Sequence, residues 1–350
     1  MMRLEGMARC SVVAVVLVAC ASPGRVEDQP LAESKPVALP PATPAVATID
    51  HALAEVPRPD SCIDDSAAYD ETVMRDRVAY LASKELDGRA SGTAGDLAAR
   101  EYIAERFRCL GLVPAGLEGS FELPFKAGKA DTANLVGYLA GSDPDVGSEI
   151  IYIGAHHDHM GSGHLGANDN ASGVVALLSI AQAIQQRDTR PKRTLVFATF
   201  GGEELGMLGS YHLAANPPAK LPNDKVVQFI NLDMVGSHSS RKLVAAMGAL
   251  PKLASRKFLE ALDDKYPKLN VSIGGRARGS DYEPLCKLGV PYVFFWTPDK
   301  RCYHTQCDTA DKLDYPRMVD IASLAGALVG QMADTDVDLA AARKKLGCGV

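Results

Sequence analysis

The chain has 350 residues, 47% of them hydrophobic, with a net charge of -6 and a pI near 5.8. This is enough for one large globular domain with a substantial core, or for two small ones. The sequence contains no block or stripe of Lys and Arg, so nucleic-acid binding is not expected.

The N-terminus is predicted to be an export signal. Arg3 and Arg9 precede an apolar stretch at residues 11–19, which is too short to cross a bilayer of about 30 Å as a helix. Such a stretch is typical of a secretory signal peptide. It ends in Leu-Val-Ala-Cys at residues 17–20, which resembles the lipobox of bacterial lipoproteins. The resemblance implies that residues 1–19 are removed and that Cys20 carries a lipid. An ordinary signal peptide with an incidental cysteine is the alternative.

Residues 20–60 are predicted to form a tether. They are rich in Pro, Ala, Val and Glu and show no helix or strand periodicity, so they cannot bury a core. A tether behind a lipid anchor would hold residues 61–350, predicted to be a single domain, at a membrane surface. The expected location is therefore the bacterial cell envelope, as a periplasm-facing lipoprotein of the outer membrane, or the secreted fraction.

The rest of the chain alternates between helix and strand patterns. Helices are predicted at residues 66–86, 94–110, 172–186, 250–266, 281–288 and 315–332, and strands at residues 134–139, 149–155, 194–200, 226–232, 242–247 and 291–296. The strands are short runs rich in Val, Ile and Phe, which is typical of buried strands. The alternation predicts an α/β domain with a mixed, mostly parallel central sheet flanked by helices.

Acidic and imidazole side chains follow four of the apolar runs and precede one helix. They are His156 and Asp158, Glu203 and Glu204, Asp233, His304, and Asp169 before the third helix. Ligands collect outside the carboxyl ends of the strands in an α/β sheet. We therefore expect these groups to lie on one rim and to form an active site.

The first group has the spacing His-x-Asp at a strand exit, where alternate residues face the same way. His156 can bind a metal while Asp158 fixes a neighbouring imidazole, with His157 pointing elsewhere. The alternative is a polar, solvated loop, because His159 and His164 make this segment rich in histidine.

The pair Glu203 and Glu204 is the sharpest local signal, because adjacent buried carboxylates repel unless a cation compensates them. Their side chains diverge, so Glu204 can bind a metal while Glu203 acts as a general base. A solvated helix N-terminus is the alternative. Asp169 and Asp233 have the alternatives of a helix N-cap or a turn, and His304 that of a structural loop histidine.

Together these residues supply two His, two Asp and one Glu as ligands, with a spare Glu as base. This oxygen-rich set suits two divalent ions, which we expect to be Zn²⁺. Asp169 is placed to bridge two ions about 3.5–4 Å apart.

Six cysteines remain beyond Cys20: Cys62, Cys109, Cys286, Cys302, Cys307 and Cys348. In an oxidising compartment cysteines can pair, but the sequence does not determine their connectivity. Cys302 and Cys307 flank His304 and are candidates to staple that loop. Metal-ligating thiolates are the alternative, which the hard carboxylate partners disfavour.

Five motifs occur in order, with Gly-Ala-His-His-Asp at residues 154–158, Gly-Ala-Asn-Asp-Asn-Ala-Ser-Gly at 166–173, Gly-Gly-Glu-Glu-Leu-Gly at 201–206, Asn-Leu-Asp-Met-Val-Gly at 231–236 and Tyr-His at 303–304. Together they resemble the M28 family of co-catalytic zinc aminopeptidases. The resemblance covers roughly residues 70–335. It implies a zinc-exopeptidase-like α/β/α sandwich. Only residues 113–133 stand where many secreted relatives carry an inserted protease-associated domain, so that domain is expected to be absent.

The resemblance also implies a role for each site residue. One zinc would be held by His156, Asp169 and Asp233, and the other by Asp169, Glu204 and His304. Asp158 would orient His156, and Glu203 would take a proton from the attacking water and return it to the leaving amine. Tyr303 is similar to a tyrosine that hydrogen-bonds the oxyanion in some relatives, with a packed loop tyrosine as the alternative.

The expected function is an exported aminopeptidase, favoured as a monomer, that acts on peptides with a free N-terminus. A carboxypeptidase or aminoacyl-amide hydrolase with the same zinc pair is the first alternative. A glutaminyl cyclase would use a single zinc and leave His156 and Asp233 without a task. A non-catalytic envelope module on a hydrolase scaffold is the last alternative.

Overall fold

The computed structural model of the chain describes residues 67–237, 243–248, 250–277 and 279–343. The predicted signal peptide, the lipid-bearing Cys20 and the tether lie outside these residues. Within the described part, no helix is both long and apolar enough to cross a membrane. The helices are α1 (Glu71–Leu81), α2 (Ala94–Cys109), α3 (Ser172–Gln185), α4 (Leu208–Ala215), α5 (Ala254–Asp263), α6 (Tyr282–Lys287), α7 (Tyr315–Asp334) and α8 (Ala340–Arg343). The strands are β1 (Val113–Pro114), β2 (Glu122–Ala127), β3 (Ala130–Leu139), β4 (Ile150–His156), β5 (Thr194–Phe200), β6 (Val226–Leu232), β7 (Leu243–Met247), β8 (Asn270–Ile273) and β9 (Tyr292–Trp296).

The nine strands form one mixed sheet in the order β1-β3-β5-β4-β6-β9-β7-β8, with β2 paired to β3. The four central strands β5, β4, β6 and β9 are mutually parallel. Next to them, β3 and β7 run antiparallel, and β8 lies parallel to β7 at the edge. The predicted α/β class with a mixed, mostly parallel sheet is confirmed. Since central parallel strands share one direction, β4, β5, β6 and β9 all end at the same edge.

Apolar layers cover both faces of the sheet, because alternate residues of a strand point to opposite sides. On β4, Ile151 and Ile153 pack into the layer formed with α1, α2, α3 and α7. Ile150 and Tyr152 face the other layer, which includes residues of α4 and α6. Strands buried on both faces read as continuous apolar runs, which is why the sequence pattern located them.

Two predicted helices are shorter in the structure. The helix predicted at residues 66–86 begins after Asp70, whose side chain accepts a hydrogen bond from the Val73 amide at 3.0 Å, and ends at Leu81. The helix predicted at residues 250–266 spans Ala254–Asp263. Pro251 disfavours a helical Leu250, and Lys252 adopts a φ of 77°.

Sequence patterns missed α4, α8, β1, β2 and β8. No side chain caps α4, whose preceding residue Met207 has a φ of 59°, so the usual helix-start signal is missing. β2 pairs with β3 through a tight turn, with Ala127 opposite Ala130. Gly128 in that turn has a φ of 63°, a conformation that favours glycine.

The segment between α1 and α2 is anchored by Arg89, which is 1% exposed. Its guanidinium donates to the main-chain oxygens of His157 at 2.8 Å, Leu165 at 2.8 Å and Gly166 at 2.9 Å, and also to that of Leu81. One buried cation therefore ties the end of α1 to the exit of β4 and to the loop before α3.

Replacing Arg89 by Met is expected to lower the free energy of unfolding by at least about 3 kcal/mol, because several buried carbonyls lose their donor. Chemical denaturation of the two proteins measures the difference. Lys126→Met is the matched control, since the Lys126–Asp131 pair is exposed on both sides and its loss should change stability by less than about 0.5 kcal/mol. Equal effects of the two substitutions would contradict the anchoring role.

Candidate metal centre

The predicted site residues converge at the edge where the parallel strands end. His156 is the last residue of β4, and Asp233 directly follows β6. Glu204 lies in the turn after β5, where Gly202 has a φ of 68° and reverses the chain as only glycine does easily. Asp169 lies in the irregular turn before α3, and His304 in the loop after β9.

The carboxylate of Asp169 lies at the middle of the cluster. Its Oδ1 is 3.2 Å from His156 Nε2, which is 3.3 Å from Asp233 Oδ1. Its Oδ2 is 3.2 Å from His304 Nε2, which is 3.0 Å from Glu204 Oε2. One oxygen of Asp169 therefore faces each of the two predicted ligand sets, as a bridging carboxylate would.

The chemistry of this donor set fits divalent cations. His156 and Asp169 are buried, Asp233 is 8% exposed, and one donor atom each of His156, Asp169 and Glu204 lies within 4.8 Å of the others. Several carboxylates held this closely away from water repel one another unless cations compensate them. Nitrogen and oxygen donors without a thiolate suit Zn²⁺.

Burial and the neighbouring carboxylates of the cluster strongly affect the pKa of Glu203. Burial raises the pKa of Glu203 well above its ordinary value, and the carboxylates of Asp281, Asp233 and Glu204 add to the rise against the opposing effect of His156. The surroundings of Glu203 therefore favour its protonated form over one more buried negative charge.

The two imidazoles also hold protons. Burial lowers the pKa of His156, but the carboxylates of Asp233 and Glu203 and a hydrogen bond with Asp169 outweigh burial and raise it well above the ordinary value. Hydrogen bonds with Asp169 and Glu204 raise the pKa of His304 to about 10. Protonation of the two imidazoles thus offsets part of the negative charge of the neighbouring carboxylates.

Hydrogen bonds from behind the cluster hold the predicted ligand residues Asp233 and Asp169 in place. Ser280 Oγ donates to Asp233 Oδ2 at 2.7 Å and accepts from Asn231 Nδ2 at 2.7 Å. Asp308 accepts from the main-chain amides of Asn168 and Asp169 at 2.7 and 3.0 Å. These supporting residues fix the ligands before any cation binds.

Asp158 makes different contacts from those predicted. The ring atom Nδ1 of His156 is 3.1 Å from the main-chain oxygen of Asp158 and 3.8 Å from its carboxylate. That carboxylate instead accepts from the Glu203 amide at 3.1 Å and from Ser91 Oγ at 3.1 Å. Asp158 thus contacts His156 through its backbone and supports the backbone of Glu203 through its side chain. His157 points away from the cluster, as predicted, with Nε2 3.3 Å from Asp96 Oδ1.

A disulfide between Cys302 and Cys307 closes the loop that carries Tyr303 and His304. The alternative of metal-ligating thiolates at these two positions is therefore wrong. Tyr303 is half-exposed, and its ring stacks on that of His304 with 3.8 Å between centroids. Cys109 and Cys286 each also form a disulfide bond.

Sequence reasoning missed one member of the cluster. His159 Nδ1 lies 2.6 Å from Glu204 Oε1, whereas from the sequence His159 served only as support for the alternative of a solvated loop. The supporting residues Ser91, Ser280 and Asp308 were missed too. Of these, Asp308 follows the Tyr-His motif at residues 303–304 within the same loop, whereas none of the five motifs contains Ser91 or Ser280.

Comparison with known proteins shows similarity to a family of peptidases. The model of peptidase family M28 matches residues 134–329. Leupeptin-inactivating enzyme 1 of Streptomyces exfoliatus is 26% identical over 293 residues, which cover 78% of this chain and 63% of that protein. The chain thus spans less than two thirds of the length of that relative.

Two solved structures show the same fold. A zinc aminopeptidase from Bacillus subtilis superposes with a TM-score of 0.64 at 16% identity, covering 79% of this chain and 98% of that chain. A glutaminyl cyclase from Porphyromonas gingivalis superposes with a TM-score of 0.61 at 20% identity, covering 76% and 100%. Because both kinds of enzyme share the fold, function has to be argued from the site.

Cation binding is expected to tighten as the pH rises. In the cation-free protein His156 and His304 carry protons at neutral pH, because their pKa values are raised. A cation has to displace those protons, so affinity should rise from about pH 6 to about pH 9 and binding should release protons. Calorimetric titration of Zn²⁺ in two buffers of different ionisation enthalpy measures that release. His212→Asn is the control, since His212 lies on α4 and only burial shifts its pKa, downwards. An affinity that does not change with pH would contradict the expectation.

Proposed function

The chain belongs to peptidase family M28, and from this premise we propose that it is a zinc-dependent aminopeptidase that removes N-terminal residues from peptides. The observation that carries the proposal is that the two carboxylate oxygens of Asp169 face different histidines. One oxygen is 3.2 Å from His156 Nε2 and the other is 3.2 Å from His304 Nε2. Such an arrangement is what two neighbouring cations with a shared carboxylate require.

We assign His156, Asp169 and Asp233 to one zinc ion, and Asp169, Glu204 and His304 to the other. Bound there, the pair supplies Lewis acidity, which polarises the scissile carbonyl and eases the ionisation of a water molecule. The protein supplies the orientation of these donors through Ser280 and the other supporting residues. Exclusion of bulk water at the buried end of the cluster strengthens each of these electrostatic interactions.

Glu203 is the general base in this proposal. It takes a proton from the attacking water and delivers it to the nitrogen of the leaving amine. Burial raises its pKa, which brings a carboxyl group closer to the range in which it can both accept and return a proton. Asp158 holds the Glu203 amide, so it positions the base. We place Tyr303 at the oxyanion, since its ring stacks beside His304 at the exposed side of the cluster.

We further propose that the enzyme is exported and acts as a monomer at the bacterial cell envelope, lipid-anchored through Cys20 or secreted. The leader pattern supports export, and so does the disulfide between Cys302 and Cys307, because disulfides persist in oxidising compartments. The substrates are then peptides with a free N-terminus.

Replacing Glu203 by Gln is expected to leave both zinc ions bound and to lower kcat roughly a thousand-fold, on the scale of a lost general base. Metal analysis of the purified variant and steady-state kinetics measure the two effects. Glu204→Gln is the matched control on the neighbouring residue, and it should lose bound zinc as well as activity. A Glu203→Gln variant with near-normal turnover would remove Glu203 from this role.

The reaction class is tested by comparing aminoacyl substrates with a free and with a blocked N-terminus, next to a count of bound zinc. Cleavage of the free substrates alone, with two zinc ions per chain, is the expected result. Cleavage from the C-terminus would favour a carboxypeptidase on the same cluster. Cyclisation of N-terminal glutamine with one ion per chain would favour a glutaminyl cyclase. No turnover in a fully zinc-loaded sample would favour a non-catalytic module.

A further inference from the structure

His159 lies inside the cluster although it belongs to neither proposed ligand set. Its Nδ1 is 2.6 Å from Glu204 Oε1, while the other oxygen, Oε2, is 3.0 Å from His304 Nε2. The two oxygens of Glu204 therefore have different partners. Oε2 faces the proposed ligand His304, and Oε1 is held by His159.

The imidazole of His159 has little freedom to leave this position. Its side chain is fully buried. A Cβ at Gly166 would come within 2.6 Å of His159 Cγ, so the absence of a side chain at Gly166 makes room for the ring. The ring of His304 stands against it edge to face, with 5.8 Å between centroids. The backbone and a neighbouring ring thus set its orientation.

The contacts of the ring indicate which nitrogen carries the proton. Among the described residues, the buried Nε2 of His159 has no hydrogen-bond partner, whereas Nδ1 faces a carboxylate oxygen. A proton on Nε2 alone would leave a buried donor unsatisfied. A proton on Nδ1 instead donates to Glu204 Oε1. Both proposed ligand histidines have a ring nitrogen 3.2 Å from Asp169, whereas His159 Nδ1 is 4.0 Å from Asp169 Oδ2 and 2.6 Å from Glu204 Oε1. His159 is therefore placed as a donor to Glu204 rather than as a third imidazole on the shared carboxylate.

The bond has a direct consequence for Glu204. With Oε1 held by His159 Nδ1, Oε2 is the oxygen that faces His304 Nε2. A hydrogen bond that favours the ionised carboxylate also fixes which oxygen stays available to a cation.

We propose that His159 is a positioning residue that donates from Nδ1 to Glu204 Oε1, orients Oε2 towards the cation and so raises the affinity of the Glu204–His304 ligand set. The proposal rests on the proposed function only in taking Glu204 and His304 as ligands.

The experiment isolates that ligand set. In a protein carrying Asp233→Ala, the set of Asp169, Glu204 and His304 is the one that stays complete, and its Zn²⁺ affinity is measured by competition with a chelator. Adding His159→Leu, which keeps volume but removes the donor, should weaken binding about 10- to 100-fold, the usual effect of losing a hydrogen bond behind a metal ligand. His159→Asn should restore most of the affinity, because its amide nitrogen occupies nearly the position of Nδ1.

Two further comparisons separate positioning from a general structural effect. In a protein carrying Glu204→Gln, the set of His156, Asp169 and Asp233 remains, and His159→Leu should leave its zinc affinity unchanged. His164→Leu is the matched control in the same loop, since within the described part of the chain the hydrogen-bond contact of His164 Nδ1 is with the main-chain oxygen of Gly161. Equal weakening of both ligand sets, or no rescue by Asn, would overturn the proposal. A wild-type protein that binds only one zinc would instead contradict the two-ion centre, while the Asp233→Ala series would still test His159.

Discussion

Mutual repulsion among buried carboxylates is the constraint on which the rest of this structure depends. Asp169, Glu203, Glu204 and Asp233 lie within one cluster, and Coulomb repulsion between them grows as water is excluded. Without cations the cluster compensates by protonation, with a raised pKa at Glu203, His156 and His304. The same excess of negative charge that raises these pKa values would be neutralised by bound divalent cations.

The fold maintains this unfavourable arrangement through many modest hydrogen bonds behind the ligands. Ser280 supports Asp233, and Asp308 holds the amide of Asp169. The side chain of Asn170 links the same turn to the exit of β6, with Nδ2 donating to the Leu232 oxygen at 3.0 Å and Oδ1 accepting from the Met234 amide at 3.2 Å. A donor or acceptor left unpaired in this environment costs about 1–3 kcal/mol, so these networks define a single geometry.

Much of this arrangement could be predicted from the sequence, because the central strands are continuous apolar runs with polar groups at their ends. The positions of His156, Glu204 and Asp233 follow from that rule and from the shared direction of parallel strands. His304 belongs to a longer loop. The apolar run at residues 291–296 placed it on the same rim, and the resemblance to the M28 family supplied only its assignment to the second zinc.

The contacts of His159 and Ser91 could not be predicted in the same way. Both residues act through loops whose path depends on tertiary packing, and no periodic pattern reports such a path. His159 was obscured by the histidines around it, and Ser91 is separated from Asp158 by 67 residues. The early end of α1 has a related cause, since Arg89 donates to the main-chain oxygen of Leu81, a contact that helix propensity does not describe.

Asp158 contacts both His156 and the backbone of Glu203, whereas the resemblance implied a contact with His156 alone. Its main-chain oxygen meets His156 Nδ1, and its carboxylate holds the amide of Glu203. Ser91 closes this arrangement, since Oγ donates to Asp158 and accepts from the Gly202 amide at 2.9 Å. A ligand of one proposed cation and the proposed base are thus fixed to the same residue, so neither can shift without the other. The loop between α1 and α2 belongs to the site for this reason, although none of its side chains is among the proposed ligands.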